Sequence, residues 1–185
     1  MKKTLLIIGA LVVIAAAGGG GYALLSHKNK NTPTTTNTNS TTSTTSGVQQ
    51  QKQLNLNTLL ANLKVKYPTI QQTYIYSQSQ DPNGNLGKAG YYTAGAEFYD
   101  TRTNTSPDGN AFGADSGGAI EVYANSSDAA KRVAYLQQFQ GDGALDPGAF
   151  KQVDNVVVRA SSQYSASQQS DMINYLASQV QAQLQ

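Results

Sequence analysis

The sequence predicts an α+β domain over residues 54–185, with a small antiparallel or mixed sheet and helices packed on one face, preceded by a transmembrane helix and a stalk. Three observations carry that prediction. Apolar residues alternate with polar ones at a period of two in 91–99 and again in 120–123. They recur at helical spacing around 56–63, 129–139 and 172–184, and residues 153–160 are the most β-branched stretch of the chain. The elements then run in the order α-β-β-β-α-β-α.

Residues 1–4 carry Lys2 and Lys3 and are expected to stay on the cytoplasmic side of a membrane. The uncharged run 5–25 meets the ~20 apolar residues a bilayer-spanning helix requires, so the chain is expected to be a single-pass membrane protein with its C-terminal domain extracellular. The alternative is secretion after signal cleavage, because Leu5–Ile14 forms a short apolar core and Ala15-Ala16-Ala17 suits a cleavage site. Residues 26–53 are rich in Thr, Asn and Ser with hardly any apolar side chain, a composition that cannot offset the entropy of ordering. They read as a stalk, and residues 54–185 as a domain that folds without it.

Within the domain, Leu56, Leu59, Leu60 and Leu63 mark a short amphipathic helix over 54–66 that Pro68 stops. A strand is expected at 73–76. The next pairs Tyr92, Ala94, Ala96 and Phe98 on one face, and a third carries Ile120 and Val122. Ser126 and Ser127 offer an N-cap to a helix with Ala129, Ala130, Val133, Leu136 and Phe139 on one side; Gly141, Gly143, Pro147 and Gly148 end it in a loop. Residues 153–160 read as one central strand, and Ser165-x-x-Gln168 as a capping box opening a final helix with Met172, Ile173, Leu176, Val180 and Leu184 as its stripe.

Several separated blocks keep a common order: Asp81-Pro82-Asn83, Leu86-Gly87-Lys88, Gly90-Tyr91-Tyr92-Thr93, Phe98 with Asp100 and Arg102, Gly117 to Tyr123, Asp128-Ala129 with Arg132 and Tyr135, and Val156 to Arg159 with Ser161. Over residues 55–185 they resemble an uncharacterised extracytoplasmic domain of Gram-positive and related bacterial surface proteins and lipoproteins. Lys88 and Ala89 replace an arginine and a proline of that pattern, and no lipobox cysteine is present. The resemblance implies an extracytoplasmic location and no activity, and the missing cysteine favours a transmembrane anchor over a lipid one.

Composition narrows the chemistry. There is no cysteine, which removes disulfides, thiolate metal sites and cysteine nucleophiles. Asp115-Ser116-Gly117-Gly118 resembles the surroundings of a protease serine, but the sole histidine, His27, lies in the stalk, and the mechanism needs a base within hydrogen-bond reach. Asp81-x-Asn83-x-Asn85 has the alternating oxygens of a calcium loop with Tyr92 where a bidentate glutamate belongs, so a turn is the expected reading. Asp142 and Asp146 form a weaker pattern of the same kind. No cofactor is predicted. All eleven acidic residues fall at or after Asp81 and only six of the thirteen basic ones do; with Lys131-Arg132 the only basic pair in the domain, nucleic acid is not an expected partner.

Asp100, Arg102, Glu121 and Arg159 form the candidate cluster, functional or structural, with Glu97 beside it. Glu121 and Arg159 lie out of phase with the apolar positions of their strands and are expected to pair across the sheet. Two functions follow. A non-enzymatic surface module would bind an envelope component or another surface protein through tyrosines; an envelope hydrolase would need Glu97, Asp100 or Glu121 to converge in a concave pocket.

Overall fold

Four leucines at helical spacing build the first element of the computed structural model, which describes residues 53–81, 83–105 and 113–185. Helix α1 (Leu56–Lys66) buries Leu56, Leu59, Leu60 and Leu63, and Asn55 caps it by accepting from the Thr58 amide. Strands β1 (Ile70–Ile75), β2 (Tyr92–Asp100) and β3 (Gly117–Tyr123) follow, then α2 (Ser126–Gln137), β4 (Ala149–Val153), β5 (Val156–Ala160) and α3 (Ala166–Leu184). The domain is α+β, with an open five-stranded sheet in the order β1-β2-β3-β5-β4 and every pairing antiparallel. The expected helix 5–25 and nearly all of the stalk lie outside the described residues. Among those described, no helix is long and apolar enough to cross a membrane.

Four expectations change. The segment 153–160 is not one strand: Asp154, at φ 52, turns the chain and splits it into the end of β4 and all of β5. The first strand begins at Ile70 instead of residue 73. Helices also do not share one face. Helices α1 and α3 cover the side presenting Ala96, Phe98, Ile120, Val156 and Val158, while α2 packs Ala129 and Leu136 on the opposite side against Tyr76, Tyr92, Tyr123 and Val157. The reason is in β5, where Val156, Val157 and Val158 are all fully buried, so both faces of the sheet are apolar there and each needs a cover. In α2 the N-cap is Asn125, whose side chain accepts from the Asp128 amide, one residue before the serines expected to do so. The Ser165–Gln168 capping box is present with both of its hydrogen bonds.

Bulges decide which residues reach the α2 face. Pairing slips between Tyr92 and Ala94, so Tyr92 joins Tyr76 and Tyr123 while Ala94, Ala96 and Phe98 face α1 and α3. Glycines admit the rings. A Cβ on Gly95 would lie 2.5 Å from the Tyr76 ring, and one on Gly118 would lie 2.3 Å from the Arg159 carbonyl oxygen and 2.5 Å from the Phe98 ring. The glycines of the DSGG stretch are thus a packing requirement. Gly118→Ala is expected to lower the unfolding free energy by about 1–3 kcal/mol, because the obstructing atoms include backbone that cannot turn aside. Urea denaturation checks this, and a variant as stable as the parent would show that β3 and β5 can separate without cost.

Candidate functional site

Alternation along β3 sends Glu121 to the α2 face together with Ala119 and Tyr123, and burial there leaves the carboxylate 4% exposed. A lone buried charge of this kind is untenable, and its partners converge from three elements. Arg132 of α2 forks onto it, Nε to Oε2 at 2.8 Å and Nη2 to Oε1 at 2.8 Å. The Tyr123 hydroxyl donates to Oε2 at 2.7 Å, and Arg159 of β5 reaches Oε1 at 3.4 Å. The expected Glu121–Arg159 contact exists, but the stronger partner is Arg132, which the sequence reading weighed only as half of a basic pair. Its spacing places it on the helix side that meets the sheet, with Ala129, Val133 and Leu136, but does not show that an acid waits there. Burial pushes the Glu121 carboxyl up, the Arg132 hydrogen bonds and charge outweigh it, and the net direction is down.

Glu97 lies diagonally across β2, since Gly95 pairs with Glu121 and Glu97 with Ala119. It is 5% exposed, and burial pushes its carboxyl up to about 7 against the opposing effects of a Tyr76 hydrogen bond and the Arg159 charge. Arg159 bonds Glu121 at 3.4 Å while its charge also acts on Glu97, and its buried Nε has no hydrogen-bond partner.

Asp100 and Arg102 do not join this group. They lie at the end of β2 on the α1–α3 side, so the four-residue candidate cluster divides between opposite faces of the sheet. Asp100 is fully buried, takes the Arg102 side chain at 2.9 Å through Nε, and accepts from the Tyr164 hydroxyl at 2.7 Å. The guanidinium lies between two rings, 5.0 Å from the centroid of Tyr67 and 5.1 Å from that of Tyr164. This bond network fastens the end of β2 to the entry of α3. It faces no cleft.

Two clefts flank α2. The larger, about 420 Å³, opens between the 83–91 loop and α2, with Tyr92 and Tyr123 at its base and Asn83, Asn85, Tyr91, Lys131, Arg132 and Tyr135 around it. A second, about 320 Å³, lies between α2 and the 144–147 loop and is lined in part by Arg132, Tyr135, Phe139 and Arg159. Arg132 and Tyr135 belong to both. Tyr91 is 48% exposed and Tyr135 51%, whereas Tyr76, Tyr92, Tyr123 and Tyr164 are buried. Most of the tyrosines described thus pack the sheet or helices, and two present rings at the larger cleft.

The 83–91 loop is held by Asp81. Its carboxylate accepts from the amides of Asn83 (3.1 Å), Leu86 (2.7 Å) and Asn85, and from the Tyr92 hydroxyl. Burial raises its pKa, but these donors outweigh it and the net direction is down. The oxygens a cation would need are occupied by N–H and O–H donors, as the turn reading expects. The Asp146 carboxylate likewise accepts from the Gly148 amide at 3.0 Å. Among the described residues no group of three or more His, Asp or Glu is placed to hold a metal ion.

No known protein family, curated protein or solved structure matches this chain. Several of the sequence blocks singled out above fall on joints of this fold. Asp81 anchors a loop, Gly118 lies under Phe98, Arg132 neutralises Glu121, and the Ser161 hydroxyl donates to the Asp115 carbonyl at 2.6 Å.

Proposed function

We propose that residues 54–185 are a non-catalytic binding module, of the kind found in extracytoplasmic domains of bacterial surface proteins, carried outside the cell membrane by the 5–25 segment and the 26–53 stalk. Its ligand, an envelope component or a molecule at the cell surface, seats against α2 in the cleft edged by Tyr91 and Tyr135. The observation that supports this reading is a separation. The exposed rings and amides edge the clefts, while Glu97, Asp100 and Glu121 line neither of them. Glycoside cleavage needs two carboxyls facing one substrate ~5–10 Å apart; here Glu97 and Glu121 share the α2 face but are both buried beneath it, and Asp100 is buried on the opposite face. This burial favours binding over an envelope hydrolase acting through these carboxyls.

The full chain, purified in detergent, should be retained by solubilised envelope polymer without degrading it, and Tyr135→Ala should weaken retention. Release of polymer fragments that stops with Glu97→Gln or Glu121→Gln would replace binding by hydrolysis.

A further inference from the structure

The two clefts share a ridge, and their chemistry is of one kind. Tyr135 stands on that ridge with Phe139 edge-on at 5.1 Å and the Arg132 guanidinium at 5.5 Å from its ring centroid. Because Glu121 holds Arg132 from beneath the helix with two hydrogen bonds, the group packed against the Tyr135 ring is fixed before any ligand arrives. Tyr91 offers a second exposed ring across the larger cleft. Around the rings stand the amides of Asn83 and Asn85, which can both donate and accept.

Acids and bases are close to balanced along this surface, where Arg159 shares Glu121 with Arg132. Arg132 is paired with Glu121, and Lys131 meets Asp128 at 2.7 Å. The second cleft sets Asp115 and Asp146 against Arg132 and Arg159, so it offers an anionic chain no excess of positive charge. A peptide added as a strand would need a free sheet edge, and the edges are β1 and β4, whose residues line neither cleft. Half-exposed rings, amides, and cations matched by acids suit a neutral polyhydroxyl ligand whose C–H faces stack on tyrosine while its hydroxyls meet the amides. We infer that the two clefts, joined at Tyr135, form one groove that binds a linear, uncharged saccharide chain, with several sugar units bridging the Tyr91 side and the Phe139 side. This rests on the binding-module reading and specifies its ligand.

The test is isothermal titration of the full chain, in a detergent without a sugar headgroup, with cello-oligosaccharides and chitooligosaccharides from dimer to hexamer. Affinity should rise with chain length until both clefts are filled and then level off. Tyr135→Ala should weaken hexamer binding about tenfold while Tyr135→Phe stays within about threefold, since the ring and not the hydroxyl is the platform. Phe139→Ala should weaken the hexamer but not the dimer, which seats in the larger cleft, and melting curves of each variant confirm that the fold is kept. Affinity independent of length, or equal losses for Tyr135→Phe and Tyr135→Ala, would overturn the extended groove. No saturable binding to either series would overturn the saccharide class, and if retention by envelope polymer still depended on Tyr135 the binding module would stand. Retention indifferent to Tyr135→Ala would remove both.

Discussion

Glu121→Ala is expected to cost the domain about 3–5 kcal/mol, the range for removing one partner of a buried charge pair. Truncation strands three groups at once. Arg132 loses both its hydrogen bonds, Arg159 loses its one charged contact, and the buried Tyr123 hydroxyl loses its acceptor. The guanidiniums are mostly withdrawn from solvent, with side chains 24% and 13% exposed, so water replaces the carboxylate poorly. Arg132→Ala should come next, because Glu121 then keeps only Tyr123 and the longer contact to Arg159. Arg159→Ala should cost least, about 1 kcal/mol, since its single bond to Glu121 is 3.4 Å long and its Nε is already without a partner. The double variant Glu121→Ala with Arg132→Ala should cost clearly less than the two singles together, because one interaction is removed twice in the sum. Equilibrium denaturation in urea reads all four values. Additive losses, or Arg159→Ala exceeding Arg132→Ala, would make the cross-strand contact the principal one.

That ranking shows where local pattern stopped informing the sequence reading. Periodicity found α1, α3 and β2 because their apolar stripes are long and their caps chemically distinct. It missed β4, five residues with no fully buried side chain, and ran its last residue into β5 across the Asp154 turn. The division of the candidate cluster was beyond parity alone. Asp100 and Glu121 sit on different strands, and relating their faces requires the β2–β3 register. The pairing of Glu121 with Arg159 was legible, since alternation within β3 and β5 suffices once the strands are neighbours. Arg132 was not, because nothing local to α2 says that its inner side meets a buried acid. Tyr91 and Tyr135 were likewise indistinguishable from the core tyrosines, because their exposure depends on how the 83–91 loop and α2 meet.

The Glu97 carboxyl makes stability fall as pH rises through the neutral range. Its ordinary value is 4.5 and burial holds it up to about 7, so between those limits the native state keeps a proton that the unfolded chain has released. Stability from this group is fully present below pH 4.5 and is lost as pH climbs through about 7, by ~3 kcal/mol in all. Glu121, Asp100 and Asp81 act in the opposite sense. Their carboxyls are held below their ordinary values of 4.5, 3.8 and 3.8, so what they contribute is present above those values and lost in acid. Together the two senses place the most stable pH of the domain close to 5, below the neutral range. Glu97→Gln keeps the size of the side chain and a polar partner for Tyr76 while removing the charge that has to be buried at high pH. The variant should therefore match the parent near pH 4.5 and exceed it by about 2–3 kcal/mol at pH 8, with a flatter profile between. Urea midpoints measured across that range decide it. Parallel profiles for parent and variant would show that Glu97 ionises at its ordinary value and that Arg159 already compensates its charge.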